Sequence, residues 1–482
     1  MAWYQSITPM SAALTALAVA LLAGLGKFYA DSRRHIPGPP IARLTPIWLW
    51  YISWRGIECT VLARLHEKYG PVVRIAPNEV DISDGIAVPT IYVKNGGFPK
   101  SPMYRNVDIN GFATIFSVLD PAHRALRAKA VAPLFAQQRL VQGRPPVQKA
   151  VDAMVTELIR RKHESHGRPV DVLNLFRSMF IDCVAISLLG ESFNGIGKER
   201  LIATDYVDAF ASGGRFFLLP GWIFHLVEPW ARKLHKNQSG IDKSTQHVQN
   251  FATRLVDRHI SGEQGASGTY HGRLLNAGVS REETIAQVMD ILFAGTDGTG
   301  RTFAVLTQYL AEHSKVYEKA REEIINNPDG EAHSLPYLSA IVKESLRLAQ
   351  ANPTRLPRTV PEGGLHVPGL PSIPAGTSVG VSAHNLHLNA KVFSEPRQFV
   401  PERWINPSSD MIRDSFYFGQ GPRQCIARNL ASIMLCWGAE ALIRSDVLRG
   451  AKPVKGNSEM YQWFNAVSCS GKNELVWEQD FT

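Results

Sequence analysis

The residues best suited to chemistry lie near the C-terminus, in the stretch Phe418-Gly419-Gln420-Gly421-Pro422-Arg423-Gln424-Cys425-Ile426-Ala427. A cysteine is held there in a glycine-rich, proline-stiffened loop, with an arginine two residues before it. Gly419 and Gly421 let the backbone turn sharply and approach a flat ligand closely. Apolar periodicity from Ile426 to about Ile443 predicts a helix with Cys425 at its N-terminal end, where unpaired amides and the helix dipole favour a thiolate. A thiolate in such a place is a nucleophile or a metal ligand. A lone cysteine is ordinarily a small buried hydrophobe, so the spacing of its neighbours has to decide. A second pair, Glu344 and Arg347, stands at i and i+3 within a helical pattern, on one face. Taken alone it is a common surface feature worth a few tenths of a kcal/mol.

The spacing F-x-x-G-x-R-x-C-x-A resembles the haem-binding signature of the cytochrome P450 family, with Ala427 where that family usually carries glycine. Three further stretches resemble the family's motifs in the same order. They are Ala294-Gly295-Thr296-Asp297-Gly298-Thr299, Glu344-Ser345-Leu346-Arg347 and Pro401-Glu402-Arg403-Trp404. The resemblance implies that Cys425 is the axial thiolate of haem b iron, in a loop opened by Phe418. It implies that His123 and Arg127, Arg358 and Arg423 hold the haem propionates; the four-residue spacing of the first two puts both donors on one helix face. Glu344, Arg347 and Arg403 would form a buried triad bracing the core, structural rather than catalytic. Asp297 and Thr299 would deliver protons, which is general-acid work, beneath small residues, Ala294 and Gly295, that leave room for oxygen. The chain departs from the pattern here. Gly298 takes the usual threonine position and the hydroxyl comes one residue later, which turns it by about 100°. By the same resemblance the substrate pocket draws on Phe112, Ile115 and Phe116, on 216–224, on 351–356 and on 461–464.

The elements that must position these residues read as a mainly α chain with a small β-region, and the resemblance implies the cytochrome P450 fold, with the haem between a long central helix and the cysteine loop with its C-terminal helix. Val72 to Ile75 and Val80 to Ser83 predict a hairpin around Ala76-Pro77-Asn78-Glu79. Asp120-Pro121 starts a helix, and Gln148 to Arg161 and Val170 to Gly190 form others. Ser280 opens the long helix with the capping box S-x-x-E, using Glu283, and it runs to about His313. Helices follow at Lys315 to Asn326 and Leu335 to Leu348, and irregular β-structure at Arg358 to Val381. Ser261 to Gly268 reads as a flexible loop.

The 482 residues include five scattered cysteines without a C-x-x-C pair, which argues against a zinc site or disulfide framework and for a reducing compartment. The formal charge of +9 is spread without a basic run, so nucleic acid is not an expected partner. No G-x-S-x-G or G-x-G-x-x-G supports a serine hydrolase or a nucleotide fold. Residues 1–26 carry no charge, 10–26 are almost wholly apolar, and Lys27, Arg33 and Arg34 follow; residues 1–30 form one segment. They are expected to be a retained anchor in the endoplasmic reticulum membrane with the rest of the chain cytosolic. Residues 31–45 follow as a basic, proline-rich hinge, and 46–482 as one haem-thiolate catalytic domain. The implied reaction inserts one oxygen atom from O₂ into an apolar small molecule in a fungal secondary-metabolite pathway (terpenoid, polyketide or alkaloid). Electrons would come from NADPH through a separate cytochrome P450 reductase, since the chain has no flavin or nicotinamide domain. Membrane lipid is the other expected partner. Gly298 keeps open a haem-thiolate isomerase or dehydratase that needs no reductase; a non-enzymatic haem sensor is the other alternative.

Overall fold

The computed structural model describes residues 14–15, 31–196, 200–234, 236–262, 268–454 and 459–477. Three short helices, α1 (Pro40–Leu44), α2 (Ile47–Trp54) and α3 (Glu58–Tyr69), lead into the hairpin β1 (Val72–Ala76) and β2 (Glu79–Ile82). Then come α4 (Pro121–Val131), α5 (Gln137–Gln142), α6 (Arg144–Ser165), β3 (Val170–Asp171) and α7 (Leu173–Val184). The next helices are α8 (Thr204–Gly213), α9 (Gly221–Lys233), α10 (Gln238–Ile260), α11 (Tyr270–Asn276) and the long α12 (Arg281–Glu312). After α13 (Ser314–Asn326) and α14 (Pro336–Ala349) come β4 (Arg358–Thr359), β5 (Ser378–Val381), α15 (Ala383–His387), α16 (Ser409–Asp414) and α17 (Arg428–Arg444). The last strands are β6 (Ala451–Pro453), β7 (Met460–Tyr461), β8 (Val467–Ser468) and β9 (Glu474–Trp477).

Helix α12 is the axle, packed by α7, α10, α14 and α17. It starts where the Ser280 hydroxyl accepts the Glu283 amide at 3.2 Å. The expected capping box is only half made, because the Glu283 carboxylate turns to Arg127 instead of back to Ser280. Helices α7 and α12 cross closely: a Cβ on Gly295 would stand 2.5 Å from Val184 Cγ2, and one on Gly300 2.9 Å from Arg177 Cγ. Gly295 is therefore small because helix packing requires it, a reason beyond the room for oxygen that the resemblance implied.

The larger sheet has the order β1-β2-β5-β4, with β2 and β5 parallel from Glu79↔Ser378 to Ile82↔Val381. The segment expected to be one helix from Val170 to Gly190 begins instead as β3, because Val170 and Asp171 pair with Leu475 and Glu474 of β9. The expected hinge is docked: Ile36 is buried, and Pro37 O accepts the Arg74 amide at 2.7 Å. Among the described residues no helix is long and apolar enough to cross a membrane. The anchor expected over residues 1–30 lies outside them apart from residues 14–15, and most of the loop expected at 261–268 lies outside them too.

Candidate active site

The cysteine loop folds on itself. Cys425 N donates to Phe418 O at 2.9 Å and Gln424 N to Gly421 O at 2.9 Å, while Gly419 and Gly421 both take positive φ. Gly421 is dictated twice over, since a Cβ there would lie 1.8 Å from the Tyr92 carbonyl oxygen. The loop thus presses on the backbone of residues 89–93. Helix α17 begins only at Arg428, three residues past Cys425. Burial pushes the Cys425 thiol up, against the Ala427 amide and the Arg428 charge that pull it down. This corrects the expectation that the helix terminus alone favours a thiolate. A bound metal deprotonates a coordinating thiol outright, so the site suits ligation better than free nucleophilic attack. Cys425 lies deep among protein atoms, which accounts for the upward push, yet it keeps open surface in its loop, whereas Cys59, Cys183 and Cys436 are closed off.

Behind the loop, Glu344 is the hub of a saturated network. Its Oε1 accepts from Arg347 Nη2 (2.7 Å), Arg403 Nε (3.1 Å) and the Val400 amide (3.1 Å). Its Oε2 accepts from Arg347 Nε (2.8 Å) and Trp404 Nε1 (2.8 Å). Arg347 also donates to His387 O and Pro396 O. The His387 ring then spans from this network to the loop: Nδ1 lies 3.0 Å from Arg347 O, and Nε2 accepts the Phe416 amide at 3.0 Å. The accepting Nε2 fixes the tautomer with the proton on Nδ1. Burial, with Arg347 nearby, pushes the His387 pKa down to about 3. No short sequence pattern marked His387, because its role depends on contacts to residues far away in the chain.

The expected propionate set divides in two. His123 Nε2 lies 3.3 Å from Glu283 Oε1, and Arg127 holds both oxygens of that carboxylate, with Nη2–Oε2 at 2.6 Å. Against burial, which raises it, Arg127 and His123 keep Glu283 below the usual carboxylate range. In this arrangement His123 and Arg127 are engaged by α12. Arg358 and Arg423 behave differently. Arg423 donates to Val118 O (2.8 Å) and Leu119 O (2.7 Å), and Arg358 to Tyr104 Oη (3.2 Å) and Pro357 O (3.0 Å). Burial, with the charges of Arg124 and Arg358, pushes Arg423 down to about 10. Burial and the same three arginines push Lys100 well down. Lys100, Arg124, Arg358 and Arg423 thus converge, and among the described residues none of them makes an ion pair. Carbonyl and hydroxyl dipoles satisfy their geometry but not their charge. Such a cluster fits a group with two carboxylates, so the residues present suit haem. Lys100 and Arg124 were not singled out from the sequence, though Arg124 lies one turn before Arg127 on α4.

On α12 Ala294 and Gly298, four apart, keep open surface. Ala294 is exposed in mid-helix, and a Cβ on Gly298 would meet only Ala351 Cβ at 3.8 Å. Asp297 turns to α7, where its Oδ1 accepts from Arg177 Nη2 (2.5 Å) and Arg301 Nη2 (3.1 Å). Against burial, the Arg301 and Arg177 charges hold it below the usual range, so it is a clasped anion. Thr299 is buried, about 100° on from Gly298. Neither lies on the open face. Three of the expected pocket segments do meet: Phe116 packs on Tyr104 and Phe464, and Phe217 on Phe464 with ring centroids 4.3 Å apart. The fourth joins through Asn352 Nδ2, which donates to Phe464 O at 3.0 Å. Residues 221–224 fall on α9, which has no buried residue.

Residues 36–445 match the family described as Cytochrome P450. The chain is 35% identical over 494 residues to the cytochrome P450 monooxygenase mfmF of Annulohypoxylon moriforme, covering 96% of this chain and 99% of that protein. It is 30% identical to the cytochrome P450 monooxygenase atr2 of Stereocaulon alpinum, over 84% and 82% of the two chains. With the cytochrome P450 monooxygenase BOT1 of Botryotinia fuckeliana it is 28% identical, over 84% and 83%.

Proposed function

The chain belongs to the cytochrome P450 family and is a haem-thiolate monooxygenase, and from that premise we propose that it oxidises an apolar small molecule in a secondary-metabolite pathway. The carrying observation is that Cys425 keeps exposed surface in its loop while Ala294 and Gly298 leave the surface of α12 bare. Haem held there by Cys425 supplies oxygen activation and insertion of one oxygen atom. Arg358 and Arg423, joined by Lys100 and Arg124, hold its carboxylates. The ring wall of Phe116, Phe217 and Phe464 excludes water and gives the substrate an apolar surface. With Gly298 in the usual threonine position, protons reach the open face through water or a substrate hydroxyl. Asp297 can pass a proton only after its carboxylate leaves Arg177 or Arg301.

Electrons come from NADPH through a separate reductase, and the protein works at the endoplasmic reticulum membrane. Supporting lipid contact, α9 and its C-cap present Trp222, Leu226, Trp230 and Leu234 at four-residue steps, 74%, 61%, 64% and 79% exposed. That spacing makes one apolar stripe. The test is spectroscopic and kinetic. The reduced carbon-monoxide complex should absorb at the wavelength typical of thiolate-ligated haem and lose that band in Cys425→His. NADPH consumption should require both the reductase and a substrate. Turnover without reductase would point instead to an isomerase or dehydratase.

A further inference from the structure

Eight residues before Gly298, on the face of α12 that also carries Ala294, stands a carboxylate that no step above uses. Asp290 is half-buried, while Met289 and Ile291 on either side of it are buried. The residue opens where its neighbours are packed. Its surroundings are those of the substrate pocket. Gln287, one turn earlier, accepts the Ile115 amide at 3.0 Å and so pins the loop that bears Phe116. Phe293, three residues on, packs on Phe210 with centroids 4.1 Å apart. The Thr114 hydroxyl is close enough to act on Asp290, and the Thr114 oxygen accepts the Ser117 amide.

A carboxylate offers about four acceptor positions, and a single hydroxyl such as that of Thr114 can fill only one. Among the described residues Asp290 makes no ion pair. Lys100 is near enough to be felt, but its ammonium is taken by the Phe116 carbonyl and lies over the Tyr104 ring at 3.9 Å. Asp108 adds repulsion, and Tyr206 and Tyr270 are also within electrostatic reach. A carboxyl among aromatic rings with one neutral donor is costly unless something else completes its shell. Burial pushes it up to about 6, which still leaves it mostly ionised at neutral pH.

We propose that Asp290 anchors the substrate by accepting from a hydrogen-bond donor, a protonated amine or a hydroxyl, so that the carbon skeleton lies along Ala294 and Gly298. The two ends of that face are about 12 Å apart along the helix axis, which sets the distance from the anchored donor to the carbon placed over the open face. The inference rests on the monooxygenase reading and narrows it: the substrate is apolar with one donor group at a defined remove.

The experiment titrates haem-loaded protein with n-octane, 1-octanol and N,N-dimethyloctylamine, reading dissociation constants from the Soret absorbance change. The polar probes should bind about ten- to hundredfold more tightly than octane, the range for a hydrogen bond to a charged group. Asp290→Ala should remove that preference and leave octane binding unchanged. Thr114→Val, which removes the internal donor but keeps the carboxylate, should retain it. An amine advantage over the alcohol that Asp290→Asn abolishes identifies charge as the recognised feature; equal gains identify the hydrogen bond. Equal affinity for all three probes in the unmodified protein overturns the proposal without need of any variant. Equal loss in Thr114→Val and Asp290→Ala also overturns it, leaving a loop clasp. The carbon-monoxide spectrum of each sample reports separately on the haem-thiolate reading.

Discussion

Behind the cysteine loop two arginines share one carboxylate; beside it three arginines and a lysine make no ion pair among the described residues. In the first region Glu344 receives five hydrogen bonds and Arg347 passes its remaining donors to backbone carbonyls. That network is complete without any ligand, so its work is to hold the frame. In the second, Arg423 and Arg358 bond only to carbonyls and a phenol, and their mutual repulsion stands. A buried cluster of like charge is unfavourable until an anion arrives. The contrast separates a brace from a binding site by charge balance, where burial alone would have grouped them.

The sharpest way to break the comparison is at the brace. Glu344→Ala strands Arg347 and Arg403 and is expected to cost about 3–5 kcal/mol, seen as a lower denaturant midpoint in protein with and without haem. A cost below about 1 kcal/mol would erase the distinction. The second region should respond with the opposite sign. Arg423→Leu relieves repulsion, so the haem-free protein should be no less stable. The loaded protein should release haem about ten- to hundredfold faster, measured by transfer to apomyoglobin. A fall in haem-free stability comparable to that of Glu344→Ala would make Arg423 part of the brace.

Acid sharpens the comparison, because the brace contains a histidine buried as the neutral base. The His387 pKa is pushed down to about 3, and burial pushes His384 down to about 4. Below the ordinary value of about 6.5 the unfolded chain takes up protons that these rings refuse. Their contribution is therefore whole above pH 6.5 and shrinks as pH falls toward those values, by about 1.4 kcal/mol per pH unit for each ring. Denaturant midpoints from pH 7 to 5 should show it, and His387→Gln should flatten the slope. The smallest effect is expected on the distal side. Thr299→Ala should leave peroxide formed per NADPH unchanged, because Thr299 lies off the open face; marked uncoupling would restore it to the relay. Asp297→Asn, which weakens the clasp with Arg177 and Arg301, should slow turnover more.

Local pattern made much of this architecture readable. The Ser280 cap, the hairpin at Val72 to Ile82 and the helix ends near Glu312 and Asn326 follow from short-range signals and fall within a few residues of expectation. Glu344 and Arg347 could be paired from their spacing, and Arg403 was joined to them by resemblance. What spacing could not show was competition among partners. Arg127 and His123 have the right separation for a propionate, yet Glu283, contributed from another helix, engages both. Asp297 likewise meets Arg177 from α7. Asp290 was legible in principle, because positions 290, 294 and 298 are one helical stripe, but only the packing shows that this stripe stays open.

The contact between Gly421 and Tyr92 also bears on biosynthesis. Tyr92 Oη accepts the Val381 amide and donates to Leu356 O, so the platform under the loop is itself assembled from distant segments. At about 5–20 residues per second, the ribosome needs roughly 15–65 s after making Tyr92 to reach Gly421. During that interval the first platform residues wait without the loop that covers them, and a nascent chain arrested before Gly421 should not retain haem. Truncations ending short of α17 would be cleared or held by chaperones, whereas the finished chain can close the frame and take up its cofactor in one late event.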